Sequence, residues 1–443
     1  MKKYGLTNSQ KVIGFAGAIY PNSAVNNIGG SLLIEDDLDF DLLGKTLHLC
    51  IDRNDSLRLR FINAAQKADP VLQYFLLNPI KQYVSDEPHG NIGYEDFSAK
   101  TADEMESILL EWNRKPIDIF TSPLYEFTMI KAPDGRCGVF SKIDHMATDA
   151  WMSAMLCKEI IEVYYAQKKG KDLPLPALPY TDYILSEAEY LASKRFQADK
   201  AFWRDLYKEG FEAVNLAAGK KSKTGATSQK IFRLDKTASQ SIRAFCTKNR
   251  ISAASLFNTA LGIYLFRVSG ISDVLFGNTC MLRSTLKEMR TCGPIVNNMN
   301  MRLRLDEHKT FAEVTINSAE SQLKMLTHMR YPCLDVIKDI YKTHKTRHIW
   351  DTLIGYQTGR IKTNEDVRFQ TKWYTSGSFA IPLYISITDL DDTGEYTLYY
   401  EYQIDCHTLE QVEEIHKGIF GIINTGIASP DTPLKTLLNS CCI

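Results

Sequence analysis

Hydrophobic positions in the first half of the chain follow both helical and strand periods. Residues 39–54 place apolar side chains three or four positions apart, which predicts an amphipathic helix. Residues 56–62 alternate apolar and polar side chains, as a half-buried strand does. A run of small and apolar residues at 136–144 predicts another strand, and residues 150–167 predict a second amphipathic helix.

The second half repeats this mixture. Residues 251–270 predict a helix that Ser252 caps and Gly270 ends. Four further segments read as strands: 272–278, 298–306, 381–390 and 396–405. Residues 407–424 predict a last helix, in which Thr408 and Gln411 form a capping box. Helices and strands that alternate in both halves predict an α/β (α+β sandwich) protein with two lobes.

The clearest candidate linker is the proline-rich stretch "KKGKDLPLPALPY" at 168–180, which follows a strong helical pattern. We therefore expect a first lobe at residues 1–170, a linker at 171–180 and a second lobe at 181–443. A chain of 443 residues is too long for one hydrophobic core, which agrees with two domains.

Composition excludes several classes of protein. Hydrophobic residues make up 44% and charged residues 24%, with a formal net charge of −1, so there is no basic footprint for nucleic acid. No apolar run is long enough to span a bilayer, and the N-terminus lacks the pattern of a secretory signal. Ten cysteines at irregular spacing favour reduced thiols and a cytoplasmic location.

The stretch "SKIDHMATDAWM" at 141–152 carries the clearest candidate chemistry. Strand alternation places His145 on the face of Ser141 and Ile143, at the end of the strand, where reacting side chains often lie. Asp149 stands where the next helix begins and suits an N-cap. Spacing alone leaves His145 either as a catalytic group or as a structural residue at a strand end. Asp144 is an exposed loop residue, a partner for the imidazole, or neither.

Several further stretches complete a resemblance to the condensation domains of nonribosomal peptide synthetases, which extends over nearly the whole chain. They are "YGLTNSQKVIGF" at 4–15, "DRNDSLRLRF" at 52–61, "FGNTCMLRS" at 276–284, "TCGPIVNNMNMRLR" at 291–304, "THMRYPCLDVIKDI" at 327–340, "WDTLIGYQ" at 350–357 and "SPDTPLKTLL" at 429–438. The central motif of that family is His-His-x-x-x-Asp-Gly. The second His and the Asp match at His145 and Asp149, whereas Asp144 replaces the first His and Ala150 replaces the Gly.

The resemblance implies two lobes like chloramphenicol acetyltransferase, arranged as a V-shaped pseudo-dimer with a central tunnel. It implies no bound cofactor or metal. Donor and acceptor carrier proteins would present their substrates on phosphopantetheine arms, and an adenylation domain would be a further partner. The amine of an aminoacyl thioester would attack a donor acyl or peptidyl thioester and form an amide bond.

The resemblance also assigns roles to residues. His145 would be catalytic, as a base, a hydrogen-bond partner of the amine or a stabiliser of the tetrahedral species. Asp149 would pair with an arginine and fix the motif, with Arg283 or Arg58 as its partner. The Asp144 and Ala150 departures lie beside these groups. Two residues would lie at the tunnel or lobe interface: Asn297 and Ser376.

Alternative functions stay open. One variant is a starter domain that acylates the first amino acid. A second class is a stand-alone acyltransferase that uses acyl-CoA and an alcohol or amine; the Asp-Phe-Gly-Trp-Gly stretch of its plant-type members is missing from this sequence, which disfavours it. A third is a catalytically degenerate domain that docks carriers or partner proteins.

Overall fold

Helices and strands alternate along most of the chain in the structure, a computed structural model that describes residues 2–63, 80–87, 90–121, 123–346, 348–357, 361–389 and 394–440. In the first part of the chain the elements are β1 Tyr4–Gly5, α1 Asn8–Ile19, β2 Asn27–Ile34, α2 Phe40–Arg53, β3 Leu59–Asn63, β4 Ile80–Val84, β5 Gly93–Asp96, α3 Ala102–Asn113, β6 Tyr125–Lys131, β7 Cys137–Asp144, α4 Ala150–Lys168 and α5 Tyr180–Leu191. They continue as α6 Lys194–Tyr207, β8 Thr227–Arg233, α7 Lys236–Asn249, α8 Ala253–Ser269, β9 Asp273–Met281, α9 Leu286–Met289, β10 Val296–Arg304, α10 Phe311–Leu326, α11 Cys333–His344, β11 Thr352–Gln357, β12 Phe369–Tyr374, β13 Leu383–Thr388, β14 Thr397–Gln403, α12 Leu409–Ala428 and α13 Leu434–Ser440.

The described chain forms two compact units. The first contains Met1–Ala192, Leu282–Val296 and Gly359–Ala380, and the second contains Ser193–Met281, Asn297–Thr358 and Ile381–Ile443. The alternation of helices and strands in both units confirms the predicted α/β class. The division into two units does not follow the predicted boundary at 171–180. The first unit continues through α5 and also contains two later segments, Leu282–Val296 and Gly359–Ala380.

Two contacts explain why the first unit extends past the proline-rich stretch. The backbone N–H of Tyr180, at the start of α5, donates to the carboxylate of Asp55 over 2.6 Å. The later strand β12 pairs antiparallel with β2, with Trp373 opposite Gly30. Buried polar groups of the backbone need hydrogen-bond partners. The start of α5 and strand β12 find these partners in the first unit and therefore belong to it.

A five-stranded sheet in the order β12-β2-β7-β6-β5 carries the first unit. Its central strand β7 is antiparallel to β2 on one side and to β6 on the other. Phe140 of β7 packs in one core with Leu109 of α3, so that face of the sheet is covered by a helix. A separate three-stranded sheet has the order β1-β4-β3.

The second unit is built on a six-stranded sheet in the order β10-β9-β11-β13-β14-β8. Helix α8 contributes much of its core, because Leu256, Phe257 and Leu261 on several sides of that helix are buried. Ser252 caps α8, and Gly270 ends it with a φ of 73°, as predicted. The predicted capping box of Thr408 and Gln411 at α12 is also confirmed.

Among the described residues, no single helix has the length and apolar composition needed to cross a membrane. Helices α7 and α8 meet that criterion only when they are joined across a bend of 101°.

Candidate active site

The site lies in the connection between β7 and α4. Strand β7 ends at Asp144 and α4 begins at Ala150, so residues 145–149 form this connection. Oδ1 of Asp149 accepts a hydrogen bond from the backbone N–H of Met152 over 2.7 Å. The predicted N-cap is therefore confirmed, and it fixes the end of the connection to the helix.

His145 is held through its backbone and through one ring nitrogen. Its backbone N–H donates to the carbonyl oxygen of Asn26 over 2.7 Å. Nδ1 lies 2.6 Å from the carbonyl oxygen of Thr148. A carbonyl oxygen only accepts hydrogen bonds, so Nδ1 carries the proton and Nε2 of the neutral ring presents a lone pair.

Burial lowers the pKa of His145 below 6.5, against smaller opposing effects of the Thr148 carbonyl and the Asp149 charge. The imidazole is therefore neutral at neutral pH, which is the form that can accept a proton. The residue as a whole is half-buried.

Asp144 is buried at the end of β7, with 3% of its surface exposed. Its Oδ1 accepts a hydrogen bond from the backbone N–H of Met146 over 2.8 Å. Burial raises the pKa of this carboxyl from 3.8 to about 7, and the Met146 hydrogen bond acts in the opposite direction. The alternative of an exposed loop residue is thus wrong, and the hydrogen bond described for the carboxylate goes to the backbone of Met146.

Asp149 pairs with Arg283, which was one of its two predicted partners. Nη2 of Arg283 lies 2.9 Å from Oδ2 of Asp149, and the two side chains are 0% and 2% exposed. The same Oδ2 accepts from the backbone N–H of Ile295 over 2.8 Å. The carboxylate thus has three hydrogen-bond donors, which is how a buried charge is accommodated.

The arginine contacts the carboxylate through one nitrogen only, among the contacts described. Its Nη2 is shared between Asp149 and the carbonyl oxygen of Gly293, at 2.9 Å and 2.7 Å. Its Nη1 donates to the carbonyl oxygens of Glu288 and Thr291, each at 2.6 Å. Arg283 therefore organises the segment 288–293 around the start of α4.

Arg58, the other predicted partner, lies elsewhere. Its Nη1 donates to the carbonyl oxygen of Ser85 over 3.1 Å and contacts Asp86 at 3.4 Å. Asp86 is 89% exposed, so this pair is largely solvated. Ala150 is the first residue of α4 and is half-buried.

Asn297 and Ser376 make local contacts. In the second unit, the Asn297 amide donates to the carbonyl oxygens of Met329 and Tyr331, at 2.8 Å and 2.9 Å, and so holds the turn before α11. In the first unit, Oγ of Ser376 donates to the carbonyl oxygen of Ser378 over 2.8 Å. The predicted place of both residues at a tunnel or lobe interface stays a prediction.

Gln10 and Thr148 are residues near the site that the sequence reasoning did not select. Nε2 of Gln10 donates to the carbonyl oxygen of Met146 over 3.1 Å. Thr148 supplies the carbonyl that His145 contacts, and its hydroxyl lies 3.0 Å from that of Ser153. The only local signal was the capping box of Thr7 and Gln10 at the start of α1, which indicates a helix and not a site.

A cavity of about 470 Å³ lies beside α4 in the first unit. Its wall combines apolar and charged side chains, among them Trp151, Met155, Glu159, Pro174, Arg290 and Lys362. His145 does not line this cavity, so we assign no reacting group to it. Within the described residues, no cluster of three or more His, Cys, Asp or Glu side chains could hold a metal ion.

Comparisons with known proteins show the family of this chain. The Condensation domain family matches residues 1–440. Surfactin synthase subunit 1 of Bacillus subtilis (strain 168) is 27% identical over 446 residues, which cover 98% of this chain and 12% of that protein. Surfactin synthase subunit 2 of the same organism is 21% identical over 442 residues, or 98% of this chain and 12% of that protein. The chain thus spans less than a fifth of the length of these relatives.

Solved structures show the same fold. The starter condensation domain of rhizomide synthetase, in complex with C8-CoA, superposes with a TM-score of 0.84 at 18% identity, covering 98% of this chain and 97% of that one. The first condensation domain of the calcium-dependent antibiotic synthetase, in complex with a substrate analogue, gives a TM-score of 0.83 at 18% identity, with 98% of each chain covered. With the family matched over residues 1–440, the chain belongs to the condensation domains of nonribosomal peptide synthetases, acyltransferases that catalyse amide-bond formation.

Proposed function

We propose that this domain joins a donor acyl or peptidyl thioester to the amine of an acceptor aminoacyl thioester, with His145 as its catalytic residue. Both substrates would arrive on the phosphopantetheine arms of carrier proteins. The product would be an amide on the acceptor arm, and the donor arm would leave as a free thiol.

The contact of 2.6 Å between Nδ1 of His145 and the carbonyl oxygen of Thr148 is the observation that carries this proposal. The Thr148 carbonyl oxygen accepts a hydrogen bond from Nδ1–H over 2.6 Å, so Nε2 is the nitrogen that can accept a hydrogen bond from an amine. The lowered pKa keeps the ring neutral, and an attacking amine must also be neutral and must lose a proton as the bond forms.

Positioning would supply much of the rate. Two thioesters held together react with effective molarities that reach about 10⁵–10⁸ M in well-aligned cases. A correctly placed general base adds about 10²–10⁴-fold. His145 would therefore contribute only part of the total acceleration.

Asp149 and Arg283 would act as the scaffold of the site. The carboxylate is occupied by Met152, Arg283 and Ile295, so it is not a second base. Its role would be to hold the first turn of α4 against the segment that follows Arg283, and thereby to keep the connection 145–149 in place.

The proposed partners are a donor carrier protein, an acceptor carrier protein and an adenylation domain. The proposed location is the cytoplasm. The relatives that support these partners are surfactin synthase subunits, of which this chain matches 12% of the length in each case.

The experiment loads an acyl group on a donor carrier and an amino acid on an acceptor carrier, and follows the acceptor by intact mass. We expect the acceptor to gain the mass of the acyl group. His145→Ala should slow this gain by about 10²–10⁴-fold, whereas His308→Ala, at a side chain that is 78% exposed, should leave it unchanged.

The donor distinguishes the remaining functions. Fatty acyl donors that work where peptidyl donors fail would establish the starter variant. Transfer from free acyl-CoA to a small alcohol or amine, without carriers, would replace the proposal with a stand-alone acyltransferase. If no donor gives a mass gain, the domain is a catalytically degenerate docking domain. If His145→Ala gives the same mass gain as the unchanged protein, His145 is not a catalytic residue.

A further inference from the structure

We propose that Gln10 and Asp144 are positioning residues for His145. They act through hydrogen bonds to the backbone of Met146, in which Asp144 binds its N–H and Gln10 binds its carbonyl oxygen. The inference rests on the proposed function of His145. It concerns a pair of contacts that joins α1 to the connection between β7 and α4.

Asp144 holds the N–H side of Met146. Its Oδ1 accepts from that N–H over 2.8 Å, and its own carbonyl oxygen accepts from the N–H of Ala147 over 2.9 Å. Side-chain and main-chain oxygens of one residue thus close a tight turn around His145. Met146 and Ala147 are both 0% exposed, so no solvent competes for these donors.

Gln10 holds the carbonyl side of Met146. Its Nε2 donates to that oxygen over 3.1 Å. Gln10 and Gln82 form a reciprocal amide pair with both contacts at 2.7 Å, and Oε1 of Gln10 also accepts from the backbone N–H of Thr7 over 3.0 Å. Gln10 is 0% exposed. The Thr7 N–H at Oε1 and the Met146 carbonyl at Nε2 define the direction of its amide without Gln82.

The two contacts bear directly on the imidazole. Met146 lies between His145 and the residue whose carbonyl accepts from Nδ1, so its position fixes that carbonyl relative to the ring. For metal-bound histidines, a partner that fixes the tautomer and orientation of the ring is worth about 10- to 100-fold in affinity or activity, and we take this range as the expected effect here. Gln10 and Asp144 would have this effect indirectly, through the backbone of Met146, since neither has a described hydrogen bond to the imidazole.

The chain offers a matched pair of substitutions for each contact. Asp144→Asn keeps an oxygen that can accept from Met146, whereas Asp144→Ala removes it. Gln10→Met removes the donor to Met146. Gln82→Met breaks the same amide pair at an equally buried glutamine, but it leaves the Gln10 contact to Met146 in place.

Two measurements on the full chain decide the question. Long-range ¹H–¹⁵N spectra of ¹⁵N-histidine protein report the tautomer of His145, whose signal is identified by its loss in His145→Ala. The carrier-loaded mass assay gives the rate. We expect Asp144→Ala and Gln10→Met to give mixed tautomers and rates reduced by about 10- to 100-fold. Asp144→Asn and Gln82→Met should keep a single Nδ1–H tautomer and rates close to that of the unchanged protein.

A single Nδ1–H tautomer and an unchanged rate in both Asp144→Ala and Gln10→Met would overturn the inference. Equal losses in Gln82→Met and Gln10→Met would also overturn the Gln10 part, since they would reflect general stability. If Gln10→Met does not fold, the comparison of Asp144→Ala with Asp144→Asn decides. If the unchanged protein forms no amide, the proposed function fails, whereas the tautomer spectra still test the positioning role.

Discussion

At the residue scale, His145 differs from an ordinary histidine at a strand end in the way its imidazole is held. One ring nitrogen is committed to the Thr148 carbonyl over 2.6 Å, and burial keeps the ring neutral by lowering its pKa. The carboxylate of the neighbouring Asp144 accepts a hydrogen bond from the backbone N–H of Met146. The replacement of a motif histidine by Asp144 therefore affects the turn more directly than it affects the ring.

The buried ion pair predicts a large cost for losing its arginine. Arg283→Met would leave the Asp149 carboxylate buried without a counter-charge, so we expect the free energy of unfolding to fall by about 3–5 kcal/mol. Urea unfolding measures this. Arg58→Met, whose partner Asp86 is 89% exposed, should cost about 1 kcal/mol or less. Equal costs for the two variants would contradict the prediction.

Asp144 predicts a pH dependence of stability. Its folded-state pKa is about 7 against an ordinary value of 3.8, so between these values the folded protein holds a proton that the unfolded chain has lost. The free energy of unfolding therefore falls as pH rises from about 4 to about 7, and this contribution is constant outside that window. In Asp144→Asn the contribution is absent.

The measurement compares the two proteins by denaturant unfolding at pH 4.5, 6 and 7.5. Relative to the unchanged protein, Asp144→Asn should gain stability across this range, by at most about 4 kcal/mol. A stability difference that does not change with pH would show that Asp144 titrates as an exposed carboxyl does.

At the element scale, the segment 291–295 is shaped by the close approach of its backbone to α5. Gly293 has a φ of 92°, and a Cβ atom at this position would lie 2.3 Å from the ring of Tyr180. The carbonyl oxygen of Gly293 accepts from Arg283, so a displaced segment would also disturb the ion pair. The position requires glycine for its backbone conformation and for space.

Gly293→Ala should therefore be more costly than an alanine at a glycine with a similar φ angle. Gly135 has a φ of 86° with no atom within 4 Å of a Cβ, so Gly135→Ala isolates the cost of the conformation, about 1–2 kcal/mol. Overpacking against Tyr180 should add about 1–3 kcal/mol at Gly293. Thermal or urea unfolding of both variants measures the difference, and equal costs would show that Tyr180 moves aside freely.

At the scale of the whole molecule, the first unit is discontinuous in sequence. It takes Arg283 and strand β12 from segments that follow the start of the second unit. A fragment of residues 1–192 would therefore lack the partner of Asp149 and the edge strand beside β2. A boundary chosen from the proline-rich stretch at 171–180 cuts the unit further, before α5.

We expect the fragment 1–192 not to unfold cooperatively, because it exposes the edge of β2 and leaves a buried carboxylate unpaired. Circular dichroism during heating, with the full chain as control, measures this. A sharp transition at the temperature of the full chain would show that the later segments contribute little to the first unit.

Local signals predicted several helix ends, and each segment that was assigned as a helix or a strand has that type in the structure. Ser252, Gly270 and the pair Thr408 and Gln411 act on neighbours within four residues, so the sequence carries their full information. Asp149 as an N-cap belongs to this class. The boundary expected at 171–180 from the proline-rich stretch does not coincide with the end of the first segment of the first unit, at Ala192. Local composition does not report that the backbone N–H of Tyr180 donates to the carboxylate of Asp55.

The sequence by itself determined the α/β class, the family and the choice of His145 as the residue to test. Only the tertiary structure decided that Arg283, 134 residues away, pairs with Asp149, and that Gln10 reaches Met146 across 136 residues. The physical reason is range. Caps and periodicity depend on a few adjacent residues, whereas the partner of a buried charge or amide depends on which distant segments the folded chain brings together.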